Sequence, residues 1–327
     1  MQRNQLGRTG RRVGVIGLGA WQLGADWGEV SEAAALATLE AAIDAGVDFI
    51  DTADVYGDGR SEQIIGRLLR ERPDAGLTVA TKMGRRVEQD PAHYTLDNFR
   101  AWTDRSRANL GVDTLDLVQL HCPPDPVFSS DAVYDALDTL VAEKRIAAYG
   151  FSVETCDQAL AAISRPGVAT IQIILNAFRL KPLERVLPEA RRAGVGIIAR
   201  VPLASGLLSG RYTAQTTFEA NDHRNFNRAG EAFDVGETFS GVDYATGLEA
   251  VERLRPLVPE GATLAQFALR WIADQPGLSV VIPGARNPEQ ARANAAAVDL
   301  APLPETTQEA VRAVYDELIR PNVHDRW

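Results

Sequence analysis

Eight short apolar, β-branched runs recur along the chain with longer amphipathic stretches between them, and that rhythm leaves few folds open. The runs are Val13–Ala20, Val47–Ala53, Leu77–Lys82, Leu115–His121, Ala147–Ser152, Thr170–Asn176, Val195–Val201 and Ser279–Gly284. Several are nearly continuously apolar, as strands covered on both faces are, whereas Val47–Ala53, Leu115–His121 and Thr170–Asn176 are more mixed. Helical patterns fall between them at Ser31–Ala45, Ser61–Arg70, Leu96–Leu110, Asp131–Glu143, Glu154–Ile163 and Leu183–Ala193. Ser31 before Glu32 and an Ala-rich run is a helix start, and Gly46 and Gly194 stand where a left-handed cap residue belongs. Strand–helix alternation predicts a parallel sheet. Eight units in 327 residues with no break in composition predict one α/β domain over residues 1–327, a closed (β/α)8 TIM barrel with a C-terminal helix.

One segment departs from the rhythm. Leu203–Thr246, a long loop after strand seven, is rich in Gly, Asn, Asp and Thr and holds Asp222-His223-Arg224-Asn225-Phe226-Asn227-Arg228. A loop this long in a compact domain is functional or a solvated insertion. Its place at a strand C-terminus, where barrel enzymes build their sites, favours closure over a bound ligand.

Composition narrows the function. A net charge of −10 disfavours a nucleic-acid partner, which needs clustered Lys and Arg. Cys122 and Cys156 alone make no disulfide framework. His93, His121, His223 and His324 are scattered without HxH, HExxH or CxxC spacing, so no metal is expected. No run reaches signal-peptide or membrane-span length, which predicts a cytoplasmic protein without a membrane partner. Oligomeric state is not legible.

Three strand ends carry reactive groups: Asp51 closes the second run, Lys82 the third and His121 the fourth, with Tyr56 on the loop after Asp51. All strand C-termini of a barrel open to one mouth, so these groups converge. Singly, each has an ordinary structural explanation: a strand-end cap, a packing ring, a solvated charge, a core histidine. Together they suit carbonyl reduction. Hydride arriving at carbon leaves an alkoxide that needs a proton donor. Tyrosine is a poor acid at neutral pH, and an adjacent ammonium is expected to lower its pKa. Asp51 would hold Lys82 charged, and neutral His121 would orient the carbonyl oxygen.

Asp51-Thr52-Ala53-Asp54-Val55-Tyr56-Gly57, with Lys82 and His121 at their spacings, resembles the catalytic tetrad of the aldo-keto reductases, in the bacterial-type branch. The similarity runs from Leu6-Gly7 to the final helix. It implies an NADP(H)-dependent oxidoreductase acting on a carbonyl or alcohol, with Tyr56 as general acid/base, Lys82 and Asp51 tuning it, and His121 orienting the substrate. It also implies that Ser152 and Gln172 contact the nicotinamide carboxamide, although Val153 replaces the usual Asn. Arg200 stands where an aromatic residue often stacks on the nicotinamide. A guanidinium plane can stack, but its charge would favour the reduced cofactor. Pro202-Leu203-Ala204-Ser205-Gly206-Leu207-Leu208-Ser209-Gly210-Arg211 resembles the pyrophosphate loop. Gly284 replaces a common Lys in Ile282-Pro283-Gly284-Ala285-Arg286, leaving Arg286 for the 2′-phosphate and Gln290 and Asn294 for the adenine. Gly17-Leu18-Gly19-Ala20-Trp21-Gln22 lacks the third glycine of a dinucleotide fingerprint. In a barrel these glycines end the first strand beside the nicotinamide, and Trp21 and Trp27 wall the pocket. Trp102 and Trp271 lie in helical patterns and are expected in the core.

Two rival functions remain: a non-catalytic, nicotinamide-binding redox-sensing subunit of the same fold, and a barrel hydrolase or isomerase working through paired carboxylates. The second needs a strand-end acid to pair with Asp51 or Asp54, and the sequence offers none.

Overall fold

The computed structural model describes residues 1–24, 30–220 and 222–327. Eight parallel strands form the barrel: β3 (Leu18–Gly19), β4 (Phe49–Asp51), β5 (Thr78–Met83), β6 (Leu117–His121), β7 (Tyr149–Ser152), β8 (Val168–Ile174), β9 (Gly196–Arg200) and β10 (Leu278–Val281). They pair in sequence order, and bridges from Ile16 to Val281 and from Gly19 to Gly284 join the last strand to the first. Helix 32–44 packs against helix 288–295, so the outer ring also meets itself. Strands β4 to β10 are buried along their whole length, as expected between a packed interior and a coat of helices.

The helices begin and end where the sequence punctuates them. Ser31 accepts a hydrogen bond from the Ala34 amide, and Gly194 closes its helix in the left-handed conformation. Thr155–Gln158 and Thr263–Gln266 form capping boxes, each satisfying orphan amides at both ends of the motif.

The expected first strand, Val13–Ala20, is not one element. Arg12–Gly14 (β2) pairs antiparallel with Arg3–Gln5 (β1), and only the second half, from the Ile16 bridge to Leu18–Gly19, joins the barrel. The hairpin carries Leu6 and Val13 under the barrel, where they pack with Phe49, Ala80, Leu117, Ala169, Ile198 and Val280. Both pieces are apolar, so periodicity alone could not separate a floor plug from a barrel strand.

Leu203–Thr246 is not a solvated insertion. It holds a short helix (223–226), several 3₁₀ turns and its own aromatic cluster, in which Tyr212, Phe218, Phe239 and Tyr244 lie 5.2–6.3 Å apart between ring centroids. Helix 244–254 begins at its end and helix 264–273 follows; the first packs against the C-terminal helical run. Trp271 is in the core as expected and Trp102 is partly buried against it, whereas Trp27 lies outside the described residues.

Gly7 adopts φ +51°, and a methyl group there would drive into the Ala169 carbonyl oxygen and the Gly196 amide nitrogen. Neither backbone atom can move without opening the barrel floor. Gly7→Ala is expected to lower the unfolding free energy by about 2–4 kcal/mol, read by urea denaturation.

Candidate active site

Side chains alternate along a strand, and the barrel uses that alternation to stack an apolar floor beneath a polar mouth. Phe49 lies in the floor and Asp51, two residues on, in the mouth; Ala80 and Lys82 repeat this, then Leu117 and Gln119, then Ile198 and Arg200. Strand register sets Lys82 beside Gln119, His121 beside Ser152, and Ser152 beside Gln172.

The predicted tetrad is assembled. The Lys82 ammonium donates to Asp51 Oδ1 at 2.5 Å, to the Thr52 carbonyl at 2.8 Å and to Tyr56 Oη at 3.3 Å. The second Asp51 oxygen accepts from Gln172 Nε2 at 2.7 Å and Gln119 Nε2 at 3.2 Å. The rings of Tyr56 and His121 meet edge to face at 5.9 Å. Lys82 is buried behind this layer, while Asp51, Tyr56 and His121 line the cleft.

Burial alone would push the Lys82 ammonium down, but Asp51 and Tyr56 together outweigh it and its pKa rises. Lys82 pulls the Tyr56 pKa down as expected, but the net shift is upward. Burial pushes the phenol up more than Lys82 pulls it down, and Asp51 and Glu237 add to the rise. The phenol therefore keeps its proton at neutral pH. His121 is held well below the usual imidazole range by burial and by Arg85, Lys82 and Arg200, so it is neutral.

A cleft of about 1240 Å³ runs from this cluster to the last barrel helix. Every expected cofactor residue lines it: Trp21, Asp51, Ser152, Gln172, Arg200, Pro202, Leu203, Ser205, Gly206, Arg211, Gly284, Arg286, Gln290 and Asn294. Its two ends suit an elongated dinucleotide. Ala204, Ser205 and Gly206 hold positive φ (46°, 53° and 98°), a backbone cradle of the kind that receives phosphates. Pro288–Ala295 points its N-terminus at the other end, with Arg286 exposed beside it. Trp21 stacks on Tyr56 at 6.0 Å and meets His223 at 5.3 Å, so the long segment forms part of the wall.

Arg200 does not present the bare charge expected of it. Glu237, from the long segment, accepts its guanidinium at 2.6 Å, and the Val153 carbonyl accepts at 3.0 Å. Glu237 neutralises the cation, which removes the reason to expect a bias toward reduced cofactor. Glu237 escaped sequence reasoning because no spacing marks a pair 37 residues apart. Arg85 and Glu154 also line the cleft unforeseen. Cys122, Glu154 and Glu237 place ligand atoms within 4.8 Å of one another, as a metal site would. Arg200 occupies Glu237, and burial pushes the Cys122 thiol up and keeps it protonated, so the cluster suits a metal poorly.

The model of the Aldo/keto reductase family matches residues 15–316. The aldo-keto reductase YhdN of Bacillus subtilis (strain 168) is 32% identical over 302 residues, which is 90% of this chain and 87% of that protein. A probable voltage-gated potassium channel subunit beta of Oryza sativa subsp. japonica is 30% identical over 93% of each chain. The crystal structure of an aldo-keto reductase from Klebsiella pneumoniae in complex with NADPH shares the fold, with a TM-score of 0.71 at 24% identity over 96% of both chains.

Asp54, two residues before Tyr56, is a buried carboxyl whose Oδ1 has no hydrogen-bond partner among the described residues. Burial, then Glu62, pushes its pKa up to about 7, against about 3.9 in an unfolded chain. The folded protein thus keeps a proton that the unfolded chain releases, and stability from this group falls as pH rises from about 4 to about 7. Asp54→Asn should remove that fall. Its Tm relative to wild type is expected to rise by on the order of 5 °C between pH 5 and pH 8, measured by scanning calorimetry.

Proposed function

Because the chain belongs to the aldo/keto reductase family, we propose that it moves hydride between NADP(H) and a carbonyl or alcohol substrate (an aldehyde, ketone or sugar), with Tyr56 as general acid and base. The observation that carries this reading is the Tyr56–Lys82–Asp51 chain of contacts facing neutral His121 across one cleft. When bound, the cofactor supplies the hydride. Ser205 and Gly206 would hold its pyrophosphate, Ser152 and Gln172 its carboxamide, and Arg286, Gln290 and Asn294 its adenosine end.

The remaining chemistry belongs to the side chains. His121, uncharged, donates a hydrogen bond that points the carbonyl oxygen at Tyr56. The Tyr56 hydroxyl gives its proton to that oxygen as negative charge builds there, and Lys82, 3.3 Å away, stabilises the phenolate left behind. Asp51 keeps Lys82 charged, and Gln119 and Gln172 keep Asp51 aimed at Lys82. In alcohol oxidation the same groups run in reverse.

Among the described residues no helix is long and apolar enough to cross a membrane, and both cysteines are free and buried, which suits a reducing cytoplasm. The rice channel-subunit relative supports one second reading, a redox-sensing subunit that binds the nucleotide without turnover.

Tyr56→Phe should bind NADPH with near wild-type affinity in a fluorescence titration, while kcat for carbonyl reduction falls about 10²–10⁴-fold. A wild-type kcat in that variant would remove Tyr56 from the role, and a wild-type protein that binds NADPH but never oxidises it would favour the sensor. Arg286→Ala should weaken NADPH about ten- to hundredfold and leave NADH little changed, the loss expected of one charged hydrogen bond. Equal losses for both nucleotides would place Arg286 on a group they share.

A further inference from the structure

Resting on the reductase reading, we propose that the preferred carbonyl substrate carries a carboxylate, and that Arg85 receives it.

Gly84, at φ +104°, turns the chain sharply after β5. Two adjacent arginines then part company. Arg86 forms an ion pair with Asp58 at 2.7 Å, while Arg85 lines the cleft with Tyr56 and His121, its side chain 23% exposed. Among the described residues its nearest carboxylate is Glu154, at 3.8 Å, outside hydrogen-bond distance, and no other group there bonds the guanidinium. The buried arginines of the same cleft differ: Arg200 is held by Glu237 and Arg224 by Asp222. A guanidinium that is mostly buried, open to the cleft and only loosely paired by Glu154 has its planar fork of donors available to a ligand. A carboxylate satisfies two donors at once with matching geometry.

The site belongs to the substrate end of the cleft. β5 is the third barrel strand and β9 the seventh, so Arg85 stands across the barrel from the Ala204–Ser209 phosphate cradle. Its charge is one of those that depress the His121 pKa, which places it near the carbonyl-orienting group. Glu154 neutralises it weakly, because burial and then Asp234 raise the Glu154 pKa. A single carboxylate fits better than a phosphate dianion, which would face both Glu154 and Glu237. Val87 and Phe226, 39% and 41% exposed at the same cleft, offer apolar contact for the rest of the molecule.

Two measurements on the full chain test this. The first is binding without turnover. With NADP⁺ present, benzoate should bind about ten- to hundredfold more tightly than benzamide in isothermal titration, and Arg85→Gln should bring the two within about threefold. Equal affinities in the wild type, or a preference that survives Arg85→Gln, overturn the proposal. Phenyl phosphate binding more tightly than benzoate overturns the choice of carboxylate.

The second compares the three carboxybenzaldehydes with the matching nitrobenzaldehydes. For the best isomer, the ratio of kcat/KM values should fall about ten- to hundredfold in Arg85→Gln, and less in Arg85→Lys, which keeps the charge without the fork. Because both aldehydes meet the same enzyme, a general loss of catalysis cancels in the ratio. An unchanged ratio overturns the anion site and leaves the reductase reading standing. If no aldehyde is reduced yet benzoate still needs Arg85, the anion site stands and the reductase reading falls. Should Arg85→Gln fail to fold by circular dichroism, Arg85→Lys decides alone, and a wild-type ratio there overturns the proposal.

Discussion

The Asp51–Lys82 ion pair is the interaction on which the site rests. Both side chains are almost wholly buried, and taking two charges out of water costs several kcal/mol each. Attraction alone rarely repays that; the pair persists because every remaining lone pair and donor is engaged. Thr52 and Tyr56 take the other Lys82 donors, and Gln119 and Gln172 fill the second Asp51 oxygen. Those partners come from β6, β8 and the loop after β4, so the ion pair is satisfied only when the barrel is closed in register. Fold and site geometry are specified together. Removing one member would strand a buried charge, with a loss of about 3–5 kcal/mol.

This dependence explains what the sequence made legible. Barrel, strand ends and tetrad were readable because strand-end chemistry is local: Asp51, Lys82 and His121 each end an apolar run, and parallel topology gathers such ends at one mouth. Resemblance singled out the loop at 202–211 and the helix start at 286, and residues from both line the cleft. Long-range pairing was not. Glu237 meets Arg200 only through a fold of the long segment that has no periodic signature, and Arg85 differs from Arg86 only in the direction that Gly84 gives it. The Arg12–Gly14 hairpin strand was hidden for another reason: an apolar run reads the same under a barrel as within its wall.

The sign of the Tyr56 pKa shows how a correct motif can mislead about energetics. A neighbouring ammonium lowers a phenol's pKa when its charge is uncompensated. Here Asp51 lies closer to Lys82 than Tyr56 does, 2.5 Å against 3.3 Å, and cancels much of that charge at the phenol. Burial then dominates and the pKa rises. A donor that holds its proton in the resting site and loses it only to a developing alkoxide is suited to the reductive direction. In the proposed reaction Lys82 would stabilise the phenolate after transfer rather than ionise the phenol beforehand.

Arg200 carries the same logic into the long segment. A guanidinium in the cleft wall, where an aromatic ring would need no counter-charge, obliges the protein to supply one nearby. Glu237 supplies it from the segment that would otherwise be free to leave the barrel, and the Arg200–Glu237 pair is almost as buried as the tetrad pair. Ser205, in the positive-φ cradle, tightens the same link by donating to the Glu237 carbonyl at 2.9 Å and accepting from the Phe239 amide at 3.0 Å. From the outer side, the Trp327 indole donates to Asp234 at 3.1 Å beneath the Arg179 guanidinium. Packing this segment therefore neutralises the wall and supports the cradle in one step, which is why a stretch that reads as a loop contributes buried residues to the cleft.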